Sequence, residues 1–318
     1  MEKIKGGVTA AKGFFAAHTA AGIKYQGRDD MALLYSEVPA EVAGTFTQNV
    51  VKAAPVKWDQ QVVKESPYAQ AVVVNAGIAN ACTGEEGMRY CKQTADQAAE
   101  ALKIPANAVL VASTGVIGMQ LPMDRLRAGI QVMAPQLEDT LAAGTAAAQA
   151  IMTTDTHKKE VAVTFMADGK EVTVGGMSKG SGMIHPNMCT MLGYVATDAV
   201  IEKEVLQKLL REDVVDTYNM ISVDGDTSTN DTLLVLANGM AGNPTIQEGT
   251  ADYEAFRAAL HYVNETQAKR LAGDGEGATA LVECHVYHAD TKENARILGG
   301  ADLQSDNNEK ENQNDEIT

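Results

Sequence analysis

The sequence predicts a mixed α/β protein, on three observations. Short apolar runs rich in β-branched residues alternate with longer stretches of helical spacing. Glycine-containing turns close most of the runs. Length and composition, at 318 residues with 45% hydrophobic and 21% charged, suit a globular chain with a substantial core and about two domains' worth of sequence.

In chain order, Ala71–Asn75 and Val109–Ser113 read as buried strands, each ending in a glycine turn. Between them, Tyr90, Thr94, Ala98 and Leu102 recur at four-residue steps, predicting a helix over 88–102. A second helix runs from Met123 to about Pro135, and a third, alanine-rich, from Leu137 to Met152. Strands 161–166 and 171–174 follow, joined by Ala167-Asp-Gly-Lys170, whose Asp-Gly pair signals a two-residue hairpin. Beyond them come a helix around 201–220, a strand 233–237, a long helix 253–271 and a final strand 278–288. From Gly299 onward the chain is polar and carries six acids against one lysine, so a disordered acidic tail is expected over 299–318.

The net charge of −16 argues against nucleic acid or an anionic membrane as the main partner. Four cysteines, Cys82, Cys91, Cys189 and Cys284, form no CxxC or framework pattern, which fits free thiols in a reducing compartment. Gly13–Ile23 has the look of a signal h-region, but His18 and Thr19 interrupt it and no cleavage site follows. No run reaches the roughly eighteen apolar residues that span a bilayer. A cytoplasmic protein is expected.

The segment most laden with chemistry is Lys179-Gly-Ser-Gly-Met-Ile-His-Pro-Asn-Met-Cys-Thr190. An unassisted threonine hydroxyl is a poor nucleophile, but cutting the Cys189–Thr190 bond gives Thr190 its own base, a new α-amine of pKa roughly 7.7–8.0. A Gly/Pro loop leading into a core turn explains the residues equally when they are taken alone. Thr114-Gly115, after a strand, can aim a hydroxyl and an N–H at one point as an oxyanion hole requires, although a plain turn would use the same pair. Asn75–Asn80 is a similar strand-end turn. Thr153-Thr154-Asp155-Thr156 reads as a helix C-terminal turn, with Asp155 and Thr156 bonding their own backbone.

Ser222–Asp231 imitates a calcium loop, but Thr229 stands at the sharp-turn glycine and Val235 at the bidentate glutamate, so a polar loop lining the site is preferred. In Gly273–Thr279 there is no P-loop lysine, and Glu276 is the residue suited to an amine or ammonium. Lys179 could meet a substrate carboxylate, or be a solvated loop lysine. The histidines lie on separate segments and show no zinc spacing.

Together these pieces resemble the ornithine acetyltransferase family of arginine biosynthesis (bifunctional glutamate N-acetyltransferase/amino-acid acetyltransferase). The matching stretches are Gly7–Phe14, Phe46–Asn49, Asn75–Gly84, Ser113–Gly118, Lys179–Leu192, Thr197–Ala199, Ser222–Thr232 and Gly273–Thr279. The resemblance implies layered sheets and helices similar to N-terminal-nucleophile hydrolases. It implies self-cleavage into an α chain, 1–189, and a β chain, 190–298, assembled as a heterotetramer of two α and two β chains. Thr190 would take acetyl from N-acetylornithine and pass it to glutamate, with Thr114 and Gly115 as oxyanion pair and Thr154, Lys179, Thr190 and Glu276 touching substrate. No metal or organic cofactor is implied; acetyl-CoA is an additional donor in some members.

Two departures are visible. Cys189 stands where the family usually has alanine, a similarly small residue compatible with cleavage. The family's β chain continues past the position of Leu298 and supplies further pocket residues there, so this chain is expected to lack that segment. An N-terminal-threonine amidase or peptidase, and an inactive truncated relative, are the competing readings.

Overall fold

A computed structural model describes residues 1–184 and 191–299. Among them, nine strands follow the order β1-β6-β7-β8-β9-β3-β4-β5, with β2 paired to β3. They are β1 (Glu2–Ile4), β2 (Phe14–Thr19), β3 (Met31–Phe46), β4 (Ala69–Ile78), β5 (Val109–Val116), β6 (Lys159–Ala167), β7 (Lys170–Lys179), β8 (Leu192–Thr197) and β9 (Thr232–Ala237). The helices are α1 (Ala54–Glu65), α2 (Gly84–Leu102), α3 (Met123–Met133), α4 (Leu141–Ala150), α5 (Lys203–Asp216) and α6 (Ala251–Gly273).

Strand β3 makes the architecture. Its first half pairs with β2 and β4, its register shifts between Tyr35 and Ala40, and its second half pairs with β9. One strand therefore serves two sheets, which pack face to face. The strand period of two sorts side chains cleanly. Val72, Val74 and Leu110 of one sheet meet Tyr194, Leu234 and Leu236 of the other. The intervening residues point outward: Val73 and Val111 pack under α2 and α3, while Val163, Leu233 and Val235 pack under α5 and α6. Helices thus cover both outer faces, giving the layered α/β arrangement expected from the sequence.

The 167–170 hairpin forms as its Asp-Gly pair demands, with Asp168 and Gly169 both at positive φ (45° and 76°) and Ala167 paired to Lys170. Helix α4 is fixed at its start by the Thr140 hydroxyl, which accepts the Ala143 N–H at 3.1 Å. The apolar stretch from Gly13 proves to be β2, with Phe14 wholly buried.

One expected element is absent. Residues 278–288 form no strand and are mostly exposed, with Val282 and Tyr287 among the exposed apolar side chains. The alternation of Leu281, Glu283, His285 and Tyr287 marks a segment able to pair, but it pairs with no described strand, and a strand without a neighbour has no partners for its backbone groups. A helical stretch at 292–299 follows, so Gly299 closes a helix instead of opening the acidic tail. The remainder of that tail lies outside the described residues. Cys82, Cys91 and Cys284 are free thiols. No helix among the described residues is long and apolar enough to cross a membrane.

Candidate active site

Both sheets run out at one end of the sandwich, and the predicted site residues gather there. At the end of β5, Thr114 and Gly115 pair in parallel register with Ala76 and Gly77 of β4. Gly115 has φ +128° and Gly77 φ +113°, a region open to glycine and strained for other residues. A Cβ on Gly115 would lie 2.2 Å from the Gly77 carbonyl carbon, so two backbones touch here with no room for a side chain. Asn75 stiffens the same corner: its amide donates to the Ile78 carbonyl at 2.9 Å, and the Ser113 hydroxyl donates to its Oδ1 at 2.7 Å.

Lys179 ends β7 in the opposite sheet. Its phase with Met177 points it between the sheets, and its Nζ donates to the Thr114 Oγ1 at 3.2 Å. This contact joins the two sheets at the site, and Lys179 is only 3% exposed. Burial, the largest influence, holds its ammonium below the usual lysine range, opposed first by Asp155.

Asp155 is the hub beneath it. Its Oδ1 accepts the Gly180 N–H and the Lys159 Nζ, each at 2.7 Å, and its Oδ2 accepts the Thr153 N–H at 3.1 Å. Burial pushes this carboxyl up, but Lys179, Lys159 and the Gly180 N–H together hold it below its ordinary value. Lys159 is 1% exposed and makes a second ion pair, at 2.6 Å to Asp274, the residue that follows α6. Burial raises Asp274 too, yet Lys159, Thr156 and the His157 N–H hold it down at about 2.

Past Asp274 the chain turns back over the Lys179 segment. The Glu276 N–H donates to the Ser181 carbonyl at 2.7 Å, and the Glu276 carboxyl carbon would lie 2.9 Å from a Cβ on Gly182. Thr154 arrives from the other side, its Oγ1 2.6 Å from the Ser181 Oγ. Thr114, Gly115, Thr154, Lys179 and Glu276 therefore converge on one place. Cys189 and Thr190 lie outside the described residues, as does His185.

The Ser222–Asp231 loop grips the chain on both sides of that segment. Asp224 Oδ1 accepts the Ile184 N–H at 2.8 Å, and Asp231 Oδ1 accepts the Met191 N–H at 3.1 Å. Burial, the leading influence, lifts Asp231 well above the ordinary carboxylate range. Asn230 spends both amide hydrogens across the sheets, on Ala79 O at 2.7 Å and Ser113 O at 2.8 Å. The loop lies at the site, as its polar composition suggested. No cluster of metal-ligating side chains occurs among the described residues.

Sequence reasoning missed the charges under the site. Asp155 does bond its own backbone, as expected of a turn, but its main partners are Lys159 and Gly180. The missed signal is at Lys159, which stands in phase with Val161, Val163 and Phe165 on the core face of β6. A lysine on an apolar stripe needs a buried counter-ion.

A family model, the ArgJ family, matches residues 15–306. The chain belongs to the ArgJ family. Among curated relatives, the arginine biosynthesis bifunctional protein ArgJ of Caldanaerobacter subterraneus is 52% identical over 96% of this chain and 75% of its own length. That of Symbiobacterium thermophilum is 54% identical over 95% of this chain and 76% of its own. Among solved structures, ArgJ of Bacillus halodurans aligns at TM-score 0.55 and 43% identity, covering 60% of this chain and 97% of that one. The ornithine acetyltransferase of Mycobacterium tuberculosis, solved with ornithine, gives 0.53 and 43% over 59% and 96%. Beyond ArgJ, the fold alone is shared with the L-aminopeptidase D-Ala-esterase/amidase of Ochrobactrum anthropi, a variant Ntn-hydrolase fold: 10% identity, TM-score 0.55, 89% of this chain and 92% of that one.

Proposed function

We propose that this chain is a cytoplasmic, self-processing N-acetyltransferase of arginine biosynthesis that carries acetyl from N2-acetylornithine to glutamate on Thr190. The observation that carries the reading is the meeting of Lys179 with Thr114, beside Gly115, at the sheet end from which Met191 leads back by one peptide bond to Thr190. Family membership and the relatives' role in arginine biosynthesis support it. Some solved family chains are matched nearly whole by about the share of this sequence that precedes Thr190, which suits an enzyme made of two pieces.

In this reading the peptide bond ahead of Thr190 is cut, and the new α-amine takes the hydroxyl proton as Thr190 Oγ attacks the acetyl carbonyl. The Gly115 N–H and Thr114 hydroxyl face the oxygen that becomes negative. Collapse expels ornithine, its amine leaving with a proton, and the glutamate amine then attacks the threonine ester to release N-acetylglutamate. Lys179 faces a substrate carboxylate, Glu276 an ammonium, and Thr154 lines the pocket between them. No metal or organic cofactor enters, and acetyl-CoA would act only as an alternative acetyl donor. The assembly is a heterotetramer of two α and two β chains.

Intact mass tests the first step: the wild type should give two chains divided before Thr190, and Thr190→Ala a single uncut one. Incubation with N-acetylornithine and glutamate tests the second. Ornithine with N-acetylglutamate supports transfer; ornithine with acetate identifies a hydrolase, and no product overturns the assignment.

A further inference from the structure

We infer that Lys159, held between Asp155 and Asp274, is a positioning residue that couples the docking of the Glu276 turn to the charge on Lys179. The inference rests on the proposed function and deepens it, because it makes the two ends of an amino-acid substrate depend on each other.

Four charges lie under the site: Lys159 and Lys179, Asp155 and Asp274. Lys159 is buried to 1% and pairs with both carboxylates, at 2.7 and 2.6 Å. Asp155 is shared. One oxygen takes Lys159 and the Gly180 N–H, immediately after Lys179, and its charge is the main support for the Lys179 ammonium. Asp274 is not shared with Lys179. Its partners are Lys159, Thr156 and the His157 N–H, and two residues later comes Glu276.

The arrangement has a consequence for each end of the pocket. With Asp274 docked, the four charges cancel, and Lys159 draws little on Asp155. With Asp274 withdrawn, Lys159 relies on Asp155 alone, and an uncompensated positive charge remains beside Lys179. Burying an unpaired charge is costly, so the cluster resists that state either by releasing a proton or by redocking the turn. Lys179 is the group placed to release it, because burial already opposes its charge and Lys159 adds to that opposition. A docked Glu276 turn and a charged Lys179 therefore favour each other, and such linkage is reciprocal. A substrate ammonium on Glu276 strengthens the grip on the carboxylate at Lys179.

Two variants separate this from a merely structural role by moving one observable in opposite directions. The charged groups acting on Lys179 are Asp155, Lys159, Asp231 and Glu276. Asp274→Asn removes a negative charge and leaves Lys159 less offset, so the alkaline limb of kcat/KM, which reports the Lys179 ammonium, moves to lower pH. Lys159→Met removes the repelling cation while Asp155 stays, so that limb moves to higher pH. Both variants free the Glu276 turn and raise KM for N-acetylornithine by about fivefold or more, with kcat changing less. The acid limb, set by the Thr190 amine, stays in place.

Limbs that do not move, or move the same way in both variants, overturn the inference while wild-type turnover leaves the function intact. A wild type that folds but releases no ornithine overturns both. Should Lys159→Met fail to accumulate, the near-isosteric Asp274→Asn decides alone: an unmoved alkaline limb and an unchanged KM refute the coupling.

Discussion

Replacing Gly115 by alanine tests the oxyanion role proposed for this corner. The added Cβ would stand 2.2 Å from the Gly77 carbonyl carbon and 2.4 Å from its oxygen, where no flexible side chain can yield. The backbone must also hold φ +128° with a side chain present, which costs about 1–3 kcal/mol. Forcing strands β4 and β5 apart adds about 1–3 kcal/mol of overpacking. The sum, about 2–6 kcal/mol, acts on a chain whose unfolding entropy is about 0.7 kcal/mol/K, so Tm should fall by about 3–9 °C. If the Gly115 N–H is the oxyanion donor proposed, displacing it should cost about 10²–10³ in kcat. Thermal unfolding followed by circular dichroism, paired with ornithine release from N-acetylornithine, reads both effects. A Gly115→Ala protein melting within about 1 °C of wild type, with kcat within about twofold, would refute the close approach of the two glycines and the role given to this corner.

Two further outcomes concern stability. The Asp274 carboxyl is depressed from 3.8 to about 2, so its stabilisation is complete above the unfolded value and is lost as pH falls through the folded one. Urea titrations of wild type and Asp274→Asn should therefore show a stability gap that narrows by about 2 kcal/mol between pH 4 and pH 2; a gap constant with pH would contradict the ion pair. Asn230→Ala strips hydrogen bonds from the buried Ala79 and Ser113 carbonyls and should destabilise by about 2–4 kcal/mol in the same titration at neutral pH. A loss below about 0.5 kcal/mol would mean that Asn230 does not bridge the sheets.

Most of the α/β alternation was legible because β4, β5, β6, β9 and the long helices carry unbroken apolar periodicity. The misses have physical causes. Strand β3, not singled out from the sequence, contains Ser36, Glu37, Pro39 and Glu41 around its shift in register, and these interrupt the apolar pattern of sixteen residues that are continuous in space. Strand β8 follows the Lys179–Thr190 segment at once, and its Gly193 and Tyr194 give little alternation. Residues 278–288 failed in the other direction, since periodicity reports that a segment can pair and not that it does. At the site, Thr114, Gly115, Lys179 and Glu276 could be singled out by type and by their glycine neighbours, whereas Thr154, between Thr153 and Asp155, was named only through the family resemblance. Of the Asp155–Lys159–Asp274 cluster only the apolar phase of Lys159 was visible, because its second partner, Asp274, lies 115 residues away and only the fold brings it there.

The strand order carries a consequence for the protein's history. Strands β8 and β9 follow Thr190 in sequence, yet in the sheet they are flanked by β7 and β3, which precede it. A cut between Cys189 and Thr190 therefore leaves two polypeptides interleaved in one sheet, joined by ladders on both sides. Before the cut, unfolding and refolding are unimolecular. Afterwards, unfolding releases two molecules and refolding becomes a second-order search, so the stability measured depends on concentration. Under the proposed cut, persistence would be set by the unfolding rate, and the covalent chain would act as a template needed for one assembly only.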